Sequence, residues 1–219
     1  RSRGLGDVYK RQLHIDSFFA IFFEPYASKG ACTVSKGYKF TLIDVIYDRG
    51  FVFLSGEIKA ELGNMLVGLL IYFGLENPDD DMFLFINSPG GSIRHGTAIF
   101  DTMQTVTPRV HTICFGMAAS MAALILSGGE HNSRVALPHT RIMLHQPFCT
   151  YLEHFYNQNV MEWNEMLKLR NCIVEMYEKR TGEFSWIISD DLERDLFMSA
   201  IAAKNYGTFG IVDSVGSWQ

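Results

Sequence analysis

The sequence of 219 residues is poor in several features that would point to a function directly. It has no excess of basic charge: 19 Lys and Arg stand against 24 Asp and Glu, a formal net charge of −5. A nucleic-acid binder would ordinarily carry a basic patch, so no nucleic-acid partner is expected. It has only four cysteines, Cys32, Cys114, Cys149 and Cys172, and no two share a C-x-x-C spacing. This argues against a disulfide framework and a clustered thiolate metal site, and fits reduced thiols in a reducing compartment. It lacks an apolar run of the ~18–20 residues that a membrane span needs. The longest, Thr112–Leu126, is rich in Gly, Ala and Ser, and no membrane partner is expected. Repeats and low-complexity segments are missing too.

What is present suits a packed core. Hydrophobic residues make up 47% and charged residues 20%, which excludes disorder for most of the chain. The opening Arg1–Gln12 has no apolar periodicity and resembles translated sequencing-adaptor sequence, so it is set aside from the fold. Residues 1–37 are read as an N-terminal tail and 38–219 as one domain.

From Phe51 the pattern alternates. FVFLSG reads as a buried strand, and Ile58–Leu75 as a helix with Leu62, Met65, Leu66, Leu69 and Leu70 on one stripe, ended by Asn77-Pro78. Met82–Asn87 is a strand, SPGGS (Ser88–Ser92) a tight loop, His95–Val106 a helix, and Val110–Phe115 a strand. A small-residue helix over Ala119–Leu126 follows, then short strands near Arg134–Leu137 and Arg141–Leu144. A long helix is expected over Glu153–Arg180, with Val160, Trp163, Leu167, Val174 and Tyr177 on its apolar stripe and Gly182 as C-cap. A helix at Ala200–Tyr206 and a strand near Ile211–Val215 close the chain. Such alternation predicts an α/β fold with crossover connections.

Three segments could carry chemistry. Ser120, in GMAASMAA, follows a strand and opens a helix, where unsatisfied N–H groups and the helix dipole favour developing negative charge. The same serine could simply cap that helix, and its surroundings are not the G-x-S-x-G elbow. His145, in MLHQP, closes a strand and could serve as base or as a structural histidine. An acid to orient it must come from elsewhere. Asp190, Asp191, Glu193 and Asp195 in SDDLERDLF all qualify by spacing, and on one helix 191 and 195 would share a face. The orienting acid is expected to be buried and bonded to one imidazole nitrogen. In SPGGS the paired glycines can aim backbone N–H groups at a ligand, and no lysine follows to make a phosphate loop.

Together, FLFINSPGGS, IFDTMQTV, HTICFGMAASMAALIL, RIMLHQPF, LERDLFMSA and GIVDSV resemble the proteolytic subunits of the Clp protease family, in that family's order and near its spacing. The resemblance spans about Val52–Val215 and is nearest to plastid and cyanobacterial members. It implies the ClpP/crotonase-like α/β spiral of βαβ units, with a protruding long helix for contact between rings. It implies Ser120 as nucleophile, His145 as general base and Asp195 as third member, with Gly91 and Met121 supplying oxyanion N–H groups. It implies stacked heptameric rings of Clp proteolytic subunits, unfolded proteins as substrates, and an AAA+ Clp ATPase chaperone that feeds them and uses the ATP. No cofactor is implied in the subunit itself. The implied compartment is the chloroplast stroma, or the cytoplasm if the source is bacterial. Thr105 stands where the family has an aromatic in the chaperone groove, while Phe83 and Phe85 are kept. A catalytically silent ring subunit would carry a substituted triad. A crotonase-type acyl-CoA enzyme would use acidic residues instead of a serine–histidine pair.

Overall fold

A computed structural model describes residues 31–33, 39–41, 50–147 and 156–216. The chain divides into two compact units, Arg1–Asp48 and Arg49–Gln219. In the first, β1 (Ala31–Thr33) pairs antiparallel with β2 (Lys39–Thr41), Cys32 opposite Phe40. The boundary expected at residue 37 or 38 lies outside the described residues.

The second unit is built on a seven-stranded sheet in the order β3-β4-β5-β6-β9, with β7 paired to β5 and β8 paired to β7. The strands are β3 (Phe51–Ser55), β4 (Met82–Ser88), β5 (Val110–Ala119), β6 (Arg134–Ala136), β7 (Arg141–Leu144), β8 (Leu196–Ser199) and β9 (Ser214–Val215). Every pairing is parallel except β7 with β8. The crossovers are α1 (Ala60–Glu76), α2 (Ile93–Thr105) and α3 (Met121–Ser127). After β7 come α4 (Tyr156–Thr181), α5 (Ser185–Leu192) and α6 (Ala200–Lys204). The expected α/β architecture is the observed one.

Hydrophobic sequence explains the layers. Val52, Leu54, Leu84, Ile86, Cys114 and Ala118 are fully buried along β3, β4 and β5, on the face of the sheet that the helices cover. Small residues let α3 sit on the sheet, and all of Met121–Ser127 is buried. In α1 the buried line is Gly63, Leu66, Leu70 and Phe73, shifted from the expected stripe. Met65 is instead nearly half exposed, because its neighbours at helical spacing already fill the contact with the sheet. Asn77 ends α1 as expected, its N–H donating to the Phe73 carbonyl.

β5 is longer than its sequence pattern suggests, and it forks. Residues 112–114 pair with β6 and residues 117–119 with β7. Between the two halves, Gly116 packs on the Asn87 side chain, whose Oδ1 accepts the Met117 N–H at 3.2 Å. The fork carries β7, and the histidine after it, to the end of β5 where α3 begins.

The long helix is present, but its expected apolar stripe is not buried as one face. Trp163 and Leu167 are exposed, while Ile173, Val174 and Tyr177 are buried. Only the C-terminal part therefore packs on the sheet unit. The expected start at Glu153 and the side chain of Val160 lie outside what is described. Gly182 closes the helix with φ +65° and donates to the Glu178 carbonyl, as expected of a C-cap glycine.

Candidate active site

Ser120 stands at the junction of β5 and α3 with φ 55° and ψ −125°. A non-glycine residue in such a conformation costs on the order of 1–3 kcal/mol and persists only where its surroundings force it. They do so here from both sides. The Ser120 N–H donates to the Met143 carbonyl of β7 at 2.8 Å, and the Ser120 carbonyl accepts from Ala123 N–H at 3.0 Å. Its side chain makes no capping bond to α3, so the helix-cap alternative is not what the structure holds. The hydroxyl is left for other work at the helix start.

The glycine loop lies against this serine. A Cβ on Gly90 would come within 2.7 Å of the Ser120 Cβ and 2.5 Å of the Ala119 carbonyl. Ser88, completely buried, sets the loop: its hydroxyl donates to the Gly56 carbonyl at 2.5 Å and accepts the Gly90 N–H at 3.0 Å. Ile58 braces the far side by donating to Gly90 O at 2.8 Å and accepting from Ser92 N–H at 2.9 Å. That bridge does not consume the Gly91 N–H. Gly91 has φ +148°, and a Cβ there would lie 2.5 Å from the Ile58 carbonyl oxygen, so the position has no room for a side chain. The Met121 N–H is at the first turn of α3 and needs no partner within the helix. The Met121 N–H thus adjoins Ser120 directly, and the loop that carries Gly91 meets Ser120 through Gly90. The roles of Ser88, Gly90 and Ile58 were not legible beforehand; a serine closing a strand before Pro-Gly-Gly was the available signal.

His145 follows β7 directly, two residues beyond the carbonyl that holds Ser120. Antiparallel pairing sets Met143 opposite Phe197 and Leu144 opposite Leu196, so the next step sets His145 opposite Asp195. His145 Nδ1 lies 3.4 Å from Asp195 Oδ1, somewhat longer than an ordinary hydrogen bond. Asp191 is elsewhere. α5 stops at Leu192, so 191 and 195 do not share a helix, and the Asp191 carboxylate is engaged by Tyr206 and Arg194. The expectation of a buried acid fails: the Asp195 side chain is 66% exposed and His145 30%, because the turn before β8 lies on the surface of this single chain. Among the described residues, Cys114, on β5 of the sheet, is no rival nucleophile. Burial pushes it up to about 12 despite a Thr140 hydrogen bond, so it stays protonated. Cys114 and Cys172 are both free thiols. Among the described residues no group of three or more His, Cys, Asp or Glu could hold a metal. No described helix is long and apolar enough to cross a membrane.

A strained serine at a helix start, a glycine loop packed against it and a histidine–aspartate pair on the neighbouring strands are the kinds of parts a serine hydrolase uses. The sequence matches the Clp protease family over residues 35–218. It is 50% identical over 175 residues to an ATP-dependent Clp protease proteolytic subunit of Sorghum bicolor, covering 80% of each chain. Proteins of the same name from Staurastrum punctulatum and Marchantia polymorpha are 48% and 47% identical, covering 78% and 76% of this chain and 84% and 82% of theirs. The chain belongs to the Clp protease family and is a serine-type peptidase.

Proposed function

We propose that Ser120, His145 and Asp195 form the catalytic triad, and that Gly91 and Met121 N–H groups receive the oxyanion. The observation that carries this reading is the Ser120 backbone. It is held in a strained turn by Met143, on the strand that His145 directly follows. Ser120 Oγ attacks the scissile carbonyl while His145 Nε2 takes its proton. Asp195, on the Nδ1 side, stabilises the imidazolium and fixes the tautomer. The carbonyl oxygen becomes an anion facing the two backbone donors. Collapse breaks the C–N bond, and His145 returns the proton to the leaving amine. Water, deprotonated by His145, then releases the acyl group and restores the serine.

The substrates are unfolded polypeptides, hydrolysed inside a chamber. Met65, Ile71, Tyr72 and Leu75 on α1, and Met161, Trp163, Leu167 and Leu169 on α4, are large apolar side chains left exposed by the single chain. Subunit packing would cover them, with α4 reaching across between stacked seven-membered rings of Clp proteolytic subunits. Ring contact near α5 and β8 would also take Asp195 out of water. The relatives' printed name, an ATP-dependent protease subunit, supports an AAA+ Clp ATPase chaperone as partner, with ATP used there and no cofactor in this subunit. The organisms of these relatives support the chloroplast stroma as its compartment.

The test is labelling with a fluorophosphonate followed by peptide mapping. The expected adduct is on Ser120, absent from Ser120→Ala and His145→Ala. An adduct on another residue of the assembled protein sinks the triad. An acyl-CoA enzyme would instead bind acyl-CoA and leave Ser120 unlabelled, and a silent subunit would assemble without reacting.

A further inference from the structure

The turn that delivers Asp195 is tied down by groups that take no part in the bond-making steps. Leu192 O, at the end of α5, accepts the Gln146 N–H at 2.7 Å, so the residue after His145 holds one side. Arg170 of α4 donates to Ser189 O at 2.9 Å and lies 3.6 Å from the Glu193 carboxylate. The third tie is Asp191. Its Oδ2 accepts the Tyr206 hydroxyl at 3.0 Å, and its Oδ1 accepts from Arg194 at 3.2 Å, one residue before Asp195.

These two bonds differ in their surroundings. The Asp191 side chain is 14% exposed, whereas Arg194 is 67% exposed. The guanidinium contact is therefore wet and weak. The phenol contact is sheltered, and breaking it would leave a largely buried carboxylate short of a partner. Burial, reinforced by the Asp191 carboxylate, pushes the Tyr206 phenol far up, so it remains a donor at any working pH.

We propose that Tyr206 and Asp191 are positioning residues for the peptidase reaction: the sheltered bond between them anchors the end of α5 and so holds the turn that keeps Asp195 opposite His145. Neither residue touches substrate or the reacting atoms. The proposal rests on the triad reading above. It differs from a purely structural tie, which would alter stability or assembly while leaving the turnover of each assembled site intact.

Steady-state cleavage of a short fluorogenic peptide by the assembled protein tests this, with Tyr206→Phe, Asp191→Ala, Asp191→Asn and Asp195→Asn measured in parallel. Tyr206→Phe keeps the ring and removes only the donor. It is expected to lower kcat roughly tenfold, with KM within about twofold, because a small misplacement of a catalytic group costs rate more than binding. Fluorophosphonate labelling of Ser120 should slow by the same factor. Asp191→Ala should do the same, and Asp191→Asn, which keeps an acceptor for the hydroxyl, should recover most of that loss. Should Asp191→Ala fail to assemble, Tyr206→Phe alone decides. An unchanged kcat in Tyr206→Phe, or a loss that only tracks the fraction assembled, overturns the proposal while Asp195→Asn still shows its own loss. If Asp195→Asn turns over at the parental rate, the triad reading falls and this proposal falls with it.

Discussion

Gly90 sits so close to Ser120 that a Cβ on the glycine would lie 2.7 Å from that of the serine and 3.1 Å from the Met121 nitrogen. With φ at +88°, Gly90 also holds a conformation that side chains disfavour. Gly90→Ala must push the SPGG loop or the Ser120 turn aside, and the proposed oxyanion donors sit on both. Turnover should fall by about 10²–10³, the scale of losing one oxyanion donor. Peptide hydrolysis by assembled protein checks this. Turnover within a few-fold of the parent would mean that the loop does not frame the reacting carbonyl.

Asp195 owes its place to strand register, and that gives the second prediction. β7 and β8 run antiparallel, so the residue beyond the Leu144–Leu196 pair meets His145 without any helix. Asp195→Asn keeps the shape and removes the charge that supports the imidazolium. We expect kcat to drop by roughly 10³–10⁴. The drop should exceed that of Asp191→Asn, whose carboxylate faces Tyr206 and Arg194. Parallel kinetics on folded oligomers with the two effects reversed would remove Asp195 from the triad.

That register also marks where reading the sequence ran out. The strand cores around Val52, Leu84 and Cys114 were legible because parallel strands in a covered sheet are apolar throughout. Gly182 and Asn77-Pro78 were legible because helix ends have local chemistry. Four acids in SDDLERDLF could not be separated by spacing, since the break between α5 and β8 depends on a partner strand about fifty residues earlier. Only the family resemblance singled out Asp195. The exposure of Trp163 and Leu167 agrees with the protruding helix expected for contact between rings, although the stripe alone does not name its cover. An apolar stripe looks the same in sequence whether its cover is this chain's own sheet or another subunit.

That uncovered stretch of α4 supplies the third prediction. Met161, Trp163, Leu167 and Leu169 are all exposed over a helix of 26 residues. Replacing Trp163 and Leu167 together with Asp should leave the fold of the subunit intact, because neither packs on its core. It should split the assembly into smaller particles, since burying unpaired charge in an apolar contact is costly. Sedimentation velocity reads the outcome. An unchanged particle size would show that this face of α4 is not an interface between subunits.

The last prediction concerns a buried charge away from the reaction. Arg134 is fully buried and grips Asp213 by two side-chain bonds, Nε to Oδ2 at 2.9 Å and Nη2 to Oδ1 at 2.6 Å. Its remaining donors reach the carbonyls of Phe209 at 2.9 Å, Gly210 at 3.0 Å and Arg180 at 3.2 Å. One guanidinium thus joins β6, the end of α4 and the loop before β9. Burial disfavours the Asp213 charge, but the Arg134 bonds outweigh it and hold the carboxyl below its ordinary value. A carboxyl depressed on folding adds stability that is complete above its unfolded value, near ~3.9, and is lost as pH falls through the lower folded value. Asp213→Asn leaves Arg134 buried with its charge uncompensated, at a cost of about 3–5 kcal/mol near neutral pH. Melting temperatures of parent and variant should therefore differ widely at pH 7, begin to converge below pH ~4, and meet only below the lower folded value, where the parent's own Asp213 is protonated. A gap of constant width across that range would mean that the ion pair is not what holds these three elements together.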